Sequence, residues 1–352
     1  MPMKSIETIS WEDETGNVIL IDQTRLPGSY RLVRCRTTDR LVRAIRTLEV
    51  RGAPALGIAG AYGVLLAIKQ IRERDHSLFL RRLYREAEKI RSARPTAVNL
   101  SLGVRVVMEA VESAGSVKEA KENAHAAAKA FADAESRSCH ELGTCGAALI
   151  PEKCTVLTHC NAGALACREW GTALGVIRSA VVQKKQVSVI ACETRPLLQG
   201  ARLTAWELRR DGIAVTVIPD SEAAFLMQRH EVDLVIVGAD RITRDAVFNK
   251  VGTYMHAVCA RYHNIPFYVA APVTTFDPIH AARDVIIEER AREEVASCGR
   301  ASVVPDGVAV KNYAFDITPH DLVSAFITDI GVFHPPPDWM ALEKALISRN
   351  PV

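Results

Sequence analysis

The chain lacks most of what would send it to a membrane, out of the cell or onto nucleic acid. Its first residues, Met1-Pro-Met-Lys-Ser-Ile-Glu7, hold no apolar core of a secretory signal. No apolar run reads as long enough for a membrane span. There is no CxxC pair, and the nine cysteines are scattered and odd in number. Neither a disulfide framework nor a zinc ribbon is indicated. Cys139, His140 and Cys145 lie close together but have no second ligand pair at zinc spacing. They read as buried helix residues. An excess of one charge is missing too: 44 Lys+Arg against 41 Asp+Glu leave a formal net charge of +3. That is too balanced for nucleic acid or an anionic bilayer as the main partner. No Walker P-loop occurs, and the run Gly57–Gly63 follows no strand, so it is not a dinucleotide fingerprint. The expectation is a reduced cytoplasmic protein with no metal, no cofactor, no nucleic-acid partner and no membrane partner.

What is present suffices for a full-sized core: 352 residues, 48% hydrophobic and 24% charged. Residues 5–22 alternate about Glu14-Thr-Gly16-Asn17 and predict a hairpin, with a short strand over 30–35. Helical periodicity comes next. One helix runs to Val50 with Thr38 or Asp39 as its cap. Others cover 54–71 and 77–90, a fourth opens at Pro95 or Thr96, and a long one covers 117–149. After Pro151, Val/Ile/Leu-rich strands at 154–159, 187–192, 214–218, 232–238, 266–271 and 314–317 take over. Helices at 162–176, 196–211, 221–228 and 252–263 fill the gaps, and Pro335-Pro-Pro337 reads as a turn or tail. Apolar strands alternating with helices mean a parallel sheet covered on both faces. The pattern predicts an α/β protein in two domains. Residues 1–148 form a small β-sheet plus a helical bundle, and 149–352 a Rossmann-like parallel sheet with helices on both faces.

Two strands end on reactive side chains: Leu157-Thr-His-Cys160 and Leu234-Val-Ile-Val-Gly238-Ala-Asp240. Ligands bind at the carboxyl ends of parallel strands, so a thiol and a carboxyl delivered there make an acid/base pair. A helix starting just after Cys160 would favour its thiolate; a buried structural cysteine fits equally well. Asp240 in an apolar cleft would be a general acid; a helix N-cap or a partner for Arg241 is its plain alternative. Arg51-Gly52-Ala53-Pro54 and Arg94-Pro95-Thr96 set a forked cation before a Pro-started helix, the makings of an anion site. Either one alone is more simply a solvated arginine beside an N1 proline. Lys250, after Asn249, can hold phosphate as a point charge or be a surface lysine. Gln199 can offer an amide to a sugar hydroxyl or face solvent.

Six segments together resemble the methylthioribose-1-phosphate isomerases. They are Arg51-Gly-Ala-Pro-Ala-Leu-Gly57, Arg94-Pro-Thr-Ala-Val-Asn-Leu100 and Thr158-His-Cys-Asn-Ala-Gly-Ala-Leu-Ala166, then Glu193-Thr-Arg-Pro-Leu-Leu-Gln-Gly200, Gly238-Ala-Asp-Arg-Ile242 and Asn249-Lys-Val-Gly-Thr-Tyr254. They keep the family's order over residues 4–335. The wider superfamily includes ribose-1,5-bisphosphate isomerases and regulatory subunits of the eukaryotic initiation-factor-2 exchange factor. The resemblance implies that Cys160 and Asp240 are catalytic. It implies that Arg51, Gly52, Ala53, Arg94, Gln199, Asn249 and Lys250 hold a sugar phosphate, without a metal, in a homodimer. The loop Arg241–Phe248 is one residue shorter than the family's form and lacks its glycine. The implied reaction converts 5-methylthioribose 1-phosphate to 5-methylthioribulose 1-phosphate. The alternatives are 5-deoxyribose 1-phosphate or ribose 1,5-bisphosphate as substrate, or a non-catalytic regulatory subunit.

Overall fold

The computed structural model describes residues 6–95, 97–299 and 301–349. The chain forms two compact units. The first runs as far as Glu141 and regains the chain over Gly163–Gly175; the second takes Leu142–Ala162 and continues from Val176. The division falls inside a helix, ahead of the expected boundary at 148/149.

In the first unit β1 (Ile9–Glu12), β2 (Asn17–Ile21) and β3 (Leu32–Cys35) make an antiparallel sheet in chain order. Gly16, at φ 61, supplies the left-handed residue of the first turn. Five helices come after it: α1 (Thr38–Arg46), α2 (Ala53–Gln70), α3 (His76–Arg91), α4 (Val98–Glu112) and α5 (Val117–Ala147). The cap of α1 is Thr37, whose Oγ1 accepts the Arg40 N–H at 3.2 Å, not Thr38 or Asp39. The helix stops short of Val50, and Leu48 beyond its end has φ 60. Thr96, one expected opener of α4, lies outside the described residues. Contrary to the expectation from the apolar runs, α2 has the length and composition to cross a membrane, but it is buried inside this unit. Its glycines explain the packing. An ideal Cβ on Gly60 would fall 2.4 Å from Leu100 O, and one on Gly103 of α4 only 1.9 Å from Gly57 O. The two backbones touch, which larger residues forbid.

In the second unit the strands are β4 (Lys153–Thr158), β5 (Gln186–Cys192), β6 (Ala214–Ile218), β7 (Leu234–Val237), β8 (Arg241–Ile242), β9 (Ala246–Lys250) and β10 (Phe267–Ala270). β11 (Ser297–Cys298), β12 (Ala301–Ser302), β13 (Phe315–Pro319), β14 (Ala325–Thr328) and β15 (Gly331–Phe333) complete the set. The main sheet has seven strands in the order β15-β14-β10-β7-β4-β5-β6. All its pairings are parallel except β14 with β15. Its six parallel strands therefore lie in the doubly wound order 3-2-1-4-5-6, with the reversal between β4 and β7. The helices are α6 (Ala173–Val182), α7 (Ala205–Arg210), α8 (Ala223–Gln228), α9 (Thr253–Tyr262), α10 (Arg292–Ala296) and α11 (Trp339–Arg349). α7 packs on β6, and α9 packs on β7 and β10.

Two expectations about this unit are corrected. The strand at 314–317 is not part of the parallel sheet: β13 pairs antiparallel with β9 in a separate sheet, and the sixth parallel strand is β14. The burial patterns give the reason. β14 is buried at every position, as a covered strand must be, whereas β13 leaves Ile317 exposed. The helix at 162–176 does not form; only a 3₁₀ turn over Ala164–Ala166 precedes α6. Gly163 and Gly171 pair in an antiparallel bridge, with Trp170 and Gly171 at φ 60 and 91, which no helix accommodates. Thr8 Oγ1 and Gln23 Nε2 donate to Ala164 O and Leu165 O, each at 2.7 Å. Pro335-Pro-Pro337 forms a turn, the first of its two expected readings, and α11 follows it.

Candidate functional site

At the reversal point of the second unit, Thr158 Oγ1 donates to Ile236 O at 2.8 Å and stitches the ends of β4 and β7 together. Cys160 comes two residues after β4. It is 9% exposed and has φ 64, a region side-chain-bearing residues enter rarely. Its N–H donates to Thr194 Oγ1 at 2.8 Å, and its carbonyl accepts from Thr204 Oγ1 at 2.7 Å. Because no helix begins after Cys160, the expected dipole argument for a thiolate does not hold there.

Asp240, half-buried, follows β7 and introduces the β8–β9 hairpin, not a helix, so it is no helix N-cap. Its N–H donates to Phe248 O at 2.9 Å. Arg241 pairs with Asp277 at 3.3 Å. The shortened loop is a tight hairpin closed by the Thr243 N–H to Ala246 O at 2.9 Å. It leads into β9, where Asn249 and Lys250 are 5% and 7% exposed, so Lys250 is not a surface lysine. Asn249 Nδ2 donates to Thr253 Oγ1 at 3.0 Å. Lys250 Nζ donates to Ala314 O at 2.8 Å and lies 5.0 Å over the Phe315 ring. Gln199 is also buried, not solvent-facing, and its Oε1 has no hydrogen-bond partner among the described residues. Cys160, Asp240, Asn249 and Lys250 thus belong to loops and strand ends of this one unit, and Gln199 to the helical turn that runs into Gly200–Thr204.

The other sequence-derived residues belong to the first unit. Arg51, Gly52 and Ala53 lead into α2, and Gly52 has φ 92. A Cβ there would fall 2.4 Å from Ala166 O, so only glycine fits. Arg94 is half-buried and precedes α4. Early turns of α2 and α4 meet where a Cβ on Gly57 would be 3.3 Å from Asn99 O, so Arg51 and Arg94 precede helices that pack together. Asn99 is 3% exposed, and its Nδ2 has no hydrogen-bond partner among the described residues. Sequence reasoning assigned it no role.

Other residues in the second unit also escaped it. Asp316 of β13 accepts the Gly252 N–H at 2.7 Å and covers the start of α9. Burial raises its pKa to about 6. His159, Cys192 and His256 bring three potential metal-ligand atoms within 4.8 Å of one another. Hydrogen bonding already orders the histidines. His159 Nε2–H donates to Val251 O at 2.8 Å, so His256 Nε2–H donates to His159 Nδ1 at 3.2 Å. Burial, foremost, lowers the pKa of His159 to about 4 and of His256 to about 3. Both fall below the unfolded value of about 6.5, so the unfolded chain binds more protons as the pH drops. The stability they contribute is complete above that value and is lost as pH falls towards the folded pKa values. Urea midpoints are expected to fall more steeply between pH 6.5 and 4.5 in the wild type than in His256→Leu; equal slopes would remove His256 from this linkage.

The comparisons agree with this architecture. The profile of the Initiation factor 2 subunit family matches residues 49–335. A methylthioribose-1-phosphate isomerase of Heliobacterium modesticaldum is 50% identical over 94% of this chain and 96% of its own. A 5-deoxyribose 1-phosphate isomerase of Moorella thermoacetica is 48% identical over 94% and 95%. The solved 5-methylthioribose 1-phosphate isomerase of Pyrococcus horikoshii superposes with a TM-score of 0.89 at 38% identity, covering 98% of this chain and 96% of that one. This chain belongs to the initiation factor 2 subunit family.

Proposed function

We propose that the chain is an aldose–ketose isomerase that converts 5-methylthioribose 1-phosphate to 5-methylthioribulose 1-phosphate in methionine salvage. The observation that carries this is a thiol and a carboxyl delivered by neighbouring strands on either side of the sheet's reversal point, where doubly wound sheets bind ligands. The phosphate on the anomeric carbon prevents a free aldehyde, so the ring must open first. Asp240 acts as the acid. The C1–O bond of the ring breaks and the ring oxygen takes the proton. The hydrogen on C2 then moves to C1 while the C2 hydroxyl loses its proton and becomes the ketone, so the product is an isomer with nothing added. Cys160 serves this transfer, as thiolate base if a proton moves or as a shielding neutral thiol if a hydride moves. Lys250 is assigned to the phosphate and Gln199 and Asn249 to the sugar hydroxyls; Arg51, Gly52, Ala53 and Arg94 are the substrate-binding candidates of the first unit. No step needs a metal or nucleotide.

The retained pair Cys160 and Asp240 argues against a non-catalytic regulatory subunit, which has no use for it. The Moorella relative supports 5-deoxyribose 1-phosphate as a second substrate. Comparing kcat/KM on 5-methylthioribose 1-phosphate, 5-deoxyribose 1-phosphate and ribose 1,5-bisphosphate tests the assignment. The methylthio sugar is expected to be best, and preference for the bisphosphate would overturn it. Running the reaction in D₂O tests the proton route: deuterium at C1 of the product marks a proton carried by a base that exchanges with solvent.

A homodimer formed through the second unit is also proposed. Tyr254, Val258 and Tyr262, at 46%, 41% and 81% exposure, leave one face of α9 apolar and uncovered. A monomer mass by light scattering at all concentrations, with full activity, would contradict it. A reduced cytoplasmic setting fits the nine free cysteines.

A further inference from the structure

Two hydroxyls hold the Cys160 backbone, and the proposed chemistry uses neither. Thr194 is fully buried and itself has φ 66, where a β-branched residue is a genuine outlier. Glycine would fit that conformation with less strain. What glycine lacks is the hydroxyl. Thr194 Oγ1 donates to Cys192 O at 3.0 Å, which leaves its lone pairs for the Cys160 N–H at 2.8 Å. Thr194 is fixed in turn: its N–H and that of Arg195 each donate to the Asp220 carboxylate at 2.7 Å. Cys160, Thr194 and Asp220 follow β4, β5 and β6, which are neighbours in the sheet. Three adjacent strand ends are therefore tied in series, with the thiol-bearing residue last. On the other side Thr204, also fully buried, donates to Cys160 O.

We propose that Thr194 is a positioning residue. Through the peptide N–H of Cys160 it fixes the left-handed backbone that aims the thiol, with Thr204 holding the carbonyl side. This rests on the reading of Cys160 as a catalytic group. Thr194→Val keeps the shape and removes the acceptor. A misplaced reacting group costs up to about 10²-fold in rate, so kcat is expected to fall by roughly 10- to 100-fold with KM nearly unchanged. Thr194→Ser keeps the hydroxyl and is expected to restore most of the rate. A merely structural residue would lower the denaturation midpoint and leave kcat per folded molecule intact. Should Thr194→Val fail to fold, Thr204→Val provides the same measurement from the carbonyl side. Cys160→Ala is the control. If it is inactive while Thr194→Val, or Thr204→Val in its place, has the wild-type kcat, the positioning role is overturned and the catalytic reading stands. If Cys160→Ala itself turns over normally, the reading of Cys160 fails instead.

Discussion

Cys160→Ser and Asp240→Asn are each expected to lower kcat by roughly 10²–10⁴-fold, the usual cost of losing one acid/base group. Each substitution is nearly isosteric, so the fold should survive. The backbone bonds that hold these two loops, from Cys160 N–H to Thr194 and from Asp240 N–H to Phe248, do not involve the altered atoms. Circular dichroism and the urea midpoint should therefore match the wild type while turnover collapses. The double variant should be little worse than the worse single one, because residues that act as a unit are not additive. Wild-type turnover in either single variant would take that residue out of the mechanism.

The largest expected effect on stability lies behind the same loop. Arg178 of α6 reaches Glu207 at 2.8 Å and Asp211 at 2.6 Å, and the three side chains are 5%, 0% and 7% exposed. Glu207 also accepts from Asn161 Nδ2 at 2.9 Å, next to Cys160 in the chain. Removing one member of a buried ion network leaves the others uncompensated, which costs about 3–5 kcal/mol. Arg178→Met is expected to lower the urea midpoint accordingly. Adding Glu207→Gln and Asp211→Asn to it should recover much of the loss, because no unpaired charge then remains. A single variant as stable as the wild type would show that the network contributes nothing.

The strands of the parallel sheet were legible because each covered strand is a continuous apolar run. β5 and β6 fall within a residue of where Val187–Cys192 and Ala214–Ile218 put them. The turns after β4 and β7 were legible as strand ends carrying Cys160 and Asp240. The conformation of the segment beyond Cys160 was not. The run Ala164-Leu-Ala166 has helical composition, but Gly163, Gly171 and hydrogen bonds from Thr8 and Gln23, far away in sequence, decide its conformation. Local propensity is a weak prior against such tertiary contacts. The burial of Lys250 was hidden for a similar reason: Ala314 and Phe315, which hold it, lie at the start of β13 and just before it. The hydroxyl of Thr194 was in view inside Glu193-Thr-Arg-Pro, but only the positive φ values of Thr194 and Cys160 reveal its role.

On the proposed reaction, C1 of the phosphorylated pentose is reduced from the acetal level to a CH₂ phosphate ester while C2 becomes a ketone. Purified protein incubated with 5-methylthioribose 1-phosphate, followed by ¹³C NMR, tests it most directly. The anomeric C1 signal is expected to disappear, a ketone carbon to appear at C2, and the phosphate to stay bound on C1. Unchanged substrate, or release of inorganic phosphate without a ketone, would contradict it.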